Sequence, residues 1–175
     1  ASPSKEYIFK IFKFECNTPK EQKIVLETFY QISNRKNQYI LSYKQISFSS
    51  IGGLTPTFSM KSISRNTLEN ALKKPSIFST WKIANIMECL FAVAEGMNYL
   101  HNHLICHGNL CPSNIIIDKA DQFYICDFGL YPIKKLYIDK DKIFNDDYKD
   151  PYMSDNGPSF KNDVYSFGVL MCDLY

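Results

Sequence analysis

The chain predicts an α+β fold. Three observations predict it. Apolar and aromatic runs at 7–14, 39–48 and 56–61 carry the residue types of strands. Apolar residues recur at steps of three and four across roughly 80–102, the period of a helix with one buried face. Segments bearing Gly, Pro, Asn and Ser separate these stretches and supply the turns. At 175 residues the chain can bury one sizeable core, and its 45% hydrophobic content excludes a disordered segment.

The elements follow in order. Tyr7-Ile8-Phe9-Lys10-Ile11-Phe12-Lys13-Phe14 reads as a strand with interleaved lysines. Thr18-Pro19-Lys20-Glu21 is a capping box with Pro at the first helical position, which starts a helix running to about residue 33. Ile24, Val25, Leu26, Phe29 and Ile32 form its apolar face. A polar loop at 34–38 precedes two strands, 39–48 and 56–61, joined by a turn at Ser49-Ser50-Ile51-Gly52-Gly53. A short helix is expected at 67–73, ending near Pro75. The long helix then buries Ile83, Ile86, Leu90, Val93, Met97 and Leu100. Ile115–Ile117 and Phe123–Cys126 are short strands around a polar turn at 118–122. Residues 130–161 read as irregular, and a final helix begins near Asn162 and is still running at Tyr175.

Composition excludes several function classes. A formal net charge of +2 predicts neither a nucleic-acid surface nor an acidic tail. The six cysteines form no C-x-x-C pair and no metal-ligand spacing, which fits reduced, buried thiols and a cytoplasmic location. No apolar run approaches the roughly 18 residues that cross a membrane, and no signal peptide is visible. The chain opens on Ala1 rather than Met, so a piece of a longer polypeptide is expected.

The most specific signals lie in the second half. His107-Gly108-Asn109-Leu110-Cys111-Pro112-Ser113-Asn114 is followed, thirteen residues after Asn114, by Asp127-Phe128-Gly129. Asp163-Val164-Tyr165-Ser166-Phe167-Gly168-Val169-Leu170 adds a third block. Together these resemble the catalytic loop H-R-D-L-x-x-x-N, the D-F-G motif and the F-helix opening of protein kinases of the tyrosine and tyrosine-kinase-like type. The resemblance covers nearly the whole chain. It implies an incomplete two-lobed kinase-like fold, from the third strand of the N-lobe through the F helix of the C-lobe. The expected division is 1–61 for the partial N-lobe, 62–66 for the hinge and 67–175 for the partial C-lobe.

The same resemblance implies site residues. Asp127 and Asn114 match the two metal-binding positions. Lys10, in Ile8-Phe9-Lys10, resembles the lysine of V-A-I-K, with Lys13 as its rival on the opposite face of the strand. Glu27 would be the ion-pair partner of that lysine on the first helix. Met60 falls at the gatekeeper position, and Lys61, Ser62, Ile63 and Ser64 form the hinge whose backbone would meet an adenine. Cys126 would line the nucleotide pocket. Asn109 stands where kinases carry the aspartate that accepts the substrate's hydroxyl proton. Gly108 and Cys111 replace further polar residues of that loop. This His-Gly-Asn form is similar to the pseudokinase domains of Janus kinases and the kinase-homology domains of receptor guanylyl cyclases. Ser154-Asp155-Asn156 replaces A-P-E, and no Gly-rich loop occurs in the chain.

The resemblance therefore implies a catalytically impaired pseudokinase with a regulatory or scaffolding role, weak ATP binding with Mg²⁺ or Mn²⁺, and a protein partner or the rest of a longer chain. The alternative is a degenerate but active ATP-dependent kinase for protein Ser, Thr or Tyr.

Overall fold

The computed structural model describes residues 6–49, 54–74, 76, 80–139 and 142–175. Two three-stranded antiparallel sheets organise it. The first has the order β1-β3-β2, with β1 at Tyr7–Ile11, β2 at Tyr43–Ser49 and β3 at Thr55–Lys61. The central strand β3 sets the register: Lys10 lies opposite Phe58, and Met60 lies opposite both Ile8 and Tyr43. Alternation along β1 turns Ile8 and Lys10 inward and leaves Tyr7, Phe9 and Ile11 exposed. Lys13 is exposed, so Lys10 is the lysine on the inner face. The turn expected at 49–53 lies, apart from Ser49, outside the described residues, as does Pro75.

Helix α1 (Pro19–Ile32) covers this sheet. Thr18 and Glu21 form the capping box, with Thr18 Oγ1 accepting from the Glu21 amide at 3.2 Å and Glu21 Oε2 accepting from the Thr18 amide at 2.9 Å. Its buried face is Val25, Thr28, Phe29 and Ile32. Phe58 is the centre of the packing, with the rings of Phe12, Phe29 and Tyr43 edge-on at 4.8, 5.0 and 5.2 Å.

The second sheet has the order β4-β5-β6, from Asn66–Thr67, Ile115–Ile117 and Phe123–Ile125. Residues 39–41, expected as the start of a strand in the first sheet, pair instead with β6. Leu41 donates to the Ile125 carbonyl and the Ile125 amide donates to the Tyr39 carbonyl, both at 2.8 Å. This strap stitches the two sheets together. The short helix α2 (Leu68–Leu72) follows β4 and is capped by Thr67.

Helix α3 (Ile83–Asn102) buries Cys89, Ala92, Val93, Gly96, Met97 and Leu100. The face expected from its large apolar residues is rotated: Ile83 is 78% exposed, while the small residues Cys89, Ala92 and Gly96 admit β6. Gly96 makes the closest approach, since a Cβ there would stand 2.7 Å from Ile125 Cδ1.

The stretch read as irregular contains order. After Asp127, Phe128 is fully buried, and Gly129 turns the chain at φ +69° into a one-turn helix α4 (Tyr131–Lys134). Pro132 sits at its start, where a missing N–H costs nothing. Tyr137 then lies back on the first sheet, stacked on Phe14 at 4.6 Å with 6° between the rings. A 3-10 turn at Asp146–Tyr148 leads to helix α5 (Phe160–Leu174), which packs against α3. None of the described helices is long and apolar enough to cross a membrane.

Gly129 is required twice over. Its φ is unfavourable for an L side chain, and a Cβ would lie 2.6 Å from Cγ2 of the fully buried Ile32. Gly129→Ala is expected to lower stability by about 1–3 kcal/mol. Urea denaturation checks this, and an unchanged midpoint would contradict the packing described.

Candidate functional site

Asp127 is the centre of the site. The strand β6 and the buried Cys126 deliver it, and its backbone takes φ +60°, a conformation an Asp adopts more readily than most side chains. Both carboxylate oxygens are engaged. Lys10 Nζ donates to Oδ2, and Tyr43 Oη donates to Oδ1 at 2.5 Å. The Lys10–Asp127 ion pair is partly buried, with side chains 29% and 18% exposed. Burial pushes the Asp127 pKa up. The Lys10 charge, the hydrogen bonds from Lys10 and Tyr43, and the Lys134 charge outweigh it and hold the carboxyl below its ordinary value. Burial, then the Asp127 charge, pushes the Tyr43 phenol well up, so it remains a donor.

Glu27 is a correction. It is 66% exposed and forms an i,i+4 pair with Lys23 at 3.7 Å. The capping box fixes the rotation of α1, and that rotation turns Val25, Thr28, Phe29 and Ile32 inward and Glu27 out. The acidic partner of Lys10 is Asp127 instead.

The loop from His107 to Asn114 is held by Asp163 of α5. Asp163 is 2% exposed, and its oxygens accept from the amides of His107 and Gly108, both at 2.8 Å, with His101 Nε2 at 2.9 Å. Asn109 spends its carboxamide on structure: Oδ1 accepts from the Asn145 amide at 2.9 Å. Asn114 directs Nδ2 to the Asn109 carbonyl at 2.8 Å, and its own carbonyl accepts from the Cys126 amide at 2.9 Å and the Cys126 thiol at 3.4 Å. Cys126 is thereby packed behind Asp127. Burial pushes its thiol pKa well up. At the expected hinge, Met60 is buried, Ile63 half-buried and Lys61 exposed, and the Ser62 amide donates to the Glu6 carbonyl at 2.9 Å.

Several residues of the site escaped the sequence reading. Tyr43 reaches Asp127 from 84 positions away, with no local motif to mark it. Lys134 comes close because of α4. Burial first, and then the nearby Lys10 charge, push its pKa down, with Asp127 opposing. Tyr148 donates from its hydroxyl to Asp173, and Ser166 Oγ donates to the Tyr148 carbonyl at 2.7 Å. Asn162 donates to Asp150 at 2.6 Å. These bonds tie the stretch before α5 to the helix.

Comparisons with known proteins agree with this architecture. The family model for protein tyrosine and serine/threonine kinases matches residues 3–175. The chain belongs to the protein kinase family. It is 33% identical over 117 residues to the serine/threonine-protein kinase CTR1 of Arabidopsis thaliana, covering 64% of this chain and 14% of that protein. It is 26% identical over 185 residues to the tyrosine-protein kinase receptor svh-2 of Caenorhabditis elegans, covering 99% of this chain and 16% of the receptor. A putative serine/threonine-protein kinase/receptor, R831, of Acanthamoeba polyphaga mimivirus is 33% identical over 111 residues, covering 61% of this chain and 7% of that protein. The chain thus spans less than a fifth of the length of these curated relatives.

Kinase domains use ATP with a divalent cation. The residues here do not fit the cation. A hard divalent ion gathers oxygen ligands, with net negative charge helping. Asp127 has both oxygens engaged and two ammoniums in its field. No group of three or more His, Cys, Asp or Glu suited to a metal occurs among the described residues.

His107 supplies a pH test. It is 1% exposed; burial pushes its pKa down to about 4, against the raising fields of Asp163 and Asp127. The unfolded chain therefore binds a proton between about pH 6.5 and 4 that the folded chain refuses. Stability is expected to fall as pH drops through that window, by up to about 3 kcal/mol, and to level off with respect to this group below it. His107→Phe should flatten that segment of a melting-midpoint profile; an unchanged slope would contradict the assignment.

Proposed function

We propose that this domain is a catalytically impaired, pseudokinase-type member of the family, acting as a nucleotide-binding regulator or scaffold within a longer cytoplasmic polypeptide. The observation that carries the reading is Asn109. Phosphoryl transfer to a protein hydroxyl uses an aspartate at this place to accept the proton. A carboxamide has no useful basicity, and this one is tied to the Asn145 amide. Loss of a general base typically costs about 10²–10⁴ in rate. The six free cysteines, five of them buried or half-buried, support a reducing compartment.

In this reading Lys10 binds nucleotide phosphate. Met60, Lys61 and Ile63 border the adenine, with Cys126 behind. Asp127 and Asn114 retain the family's positions without its charge arrangement.

A second reading has its own support. The relatives carry the names of serine/threonine and tyrosine kinases. Positioning and charge stabilisation dominate this chemistry, so a degenerate active kinase is the alternative.

Transfer of radiolabelled phosphate from ATP, to the protein itself or to a generic substrate, separates the two. The expected result is a rate about 10²–10⁴ below that of ordinary kinases. Turnover of about 1–100 s⁻¹ that Asp127→Ala abolishes would overturn the reading.

A further inference from the structure

Charge around Asp127 does not balance. Lys10 pairs directly with the carboxylate, and Lys134 lies in the field of both groups. Asp127 is the carboxylate these two lysines share, so two ammoniums face one carboxylate and leave a local surplus of one positive charge.

Lys134 is placed by the fold and is not a mobile surface lysine. Its amide donates to the Leu130 carbonyl at 3.0 Å, and its carbonyl accepts from Tyr137 and Ile138 at 3.1 and 2.9 Å. Its neighbour Ile133 is fully buried. The Gly129 turn that aims α4 is wedged between Ile32 and Ile105. Two ammoniums so held repel one another across a partly desolvated space, and an anion entering between them relieves that cost. A divalent cation would add to it.

The geometry points to a polyphosphate site built on Lys10 and Lys134 that takes its ligand without a divalent cation, Lys134 supplying the charge a metal ion would otherwise bring. This rests on the nucleotide-binding reading above and specifies how that site would hold phosphate. The ligand class is a nucleoside di- or triphosphate in its free, unchelated form; Tyr43 keeps Asp127 oriented while Lys10 turns toward the incoming phosphate. No group transfer is involved.

Calorimetric titration of the purified protein tests this with two probes, ATP and inorganic tripolyphosphate, each in excess Mg²⁺ and in EDTA. Both probes are expected to bind in EDTA at least as tightly as with Mg²⁺. Lys134→Gln should weaken binding in EDTA about tenfold or more, as loss of one charge-assisted hydrogen bond does, while Lys134→Arg should keep it. ATP binding that appears only with Mg²⁺ overturns the inference and leaves the nucleotide reading standing. Tripolyphosphate binding without ATP binding supports the inference and overturns the nucleotide reading. Binding of neither probe overturns both. A folded Lys134→Gln variant with unchanged affinity also overturns it. If that variant does not fold, the comparison of EDTA with Mg²⁺ on the unaltered protein decides alone.

Discussion

One ion pair joins parts of the chain 117 residues apart: Lys10 on β1 and Asp127 beyond β6. It is the polar link across the space between the two sheets, and Tyr43, at the start of β2, completes it. Removing one partner of a buried pair typically costs about 3–5 kcal/mol. Partial exposure of both side chains places this pair below that range. Its geometric effect is larger than its energy. With Lys10 engaged by Asp127, α1 need not present an acid to the sheet, and its inner face is hydrophobic apart from Thr28.

The same economy runs through the catalytic-type loop. A residue that would be a base is a strut: the Asn109 carboxamide fastens the chain at Asn145. Further along, Tyr148 is bonded to Asp173, Ser166 to Tyr148, and Asn162 to Asp150. The Ser154-Asp155-Asn156 sequence lacks the family's anchoring glutamate, and these contacts with α5 hold the stretch in place. Asp163, fully desolvated and accepting from two loop amides, needs those hydrogen bonds to be tolerable at all. The arrangement holds a shape firmly and gives proton transfer no acceptor at Asn109.

Much of this was legible in the sequence because it is local. The Thr18–Glu21 box marks its helix start, and the Asp127-Phe128-Gly129 and His107–Asn114 motifs identify the family by spacing alone. Where the reading failed, distant partners decided. Residues 39–41 carry strand-forming side chains, but β6 took them from the first sheet. The buried stripe of α3 was misjudged because large apolar residues mark a face in sequence, whereas close packing against β6 selected small ones. Pro132 read as a loop former and instead opens α4. Glu27 has the right residue type and the wrong rotation. Tyr43 and Lys134 have no sequence signature, since only the folded chain brings them to Asp127.

A double-mutant cycle on Lys10→Met and Asp127→Asn, read by denaturant unfolding, tests the central link most directly. A coupling of about 1 kcal/mol or more is expected for groups bonded to each other in a partly buried setting. Effects that add to within about 0.3–0.5 kcal/mol would show two independent residues and contradict the account.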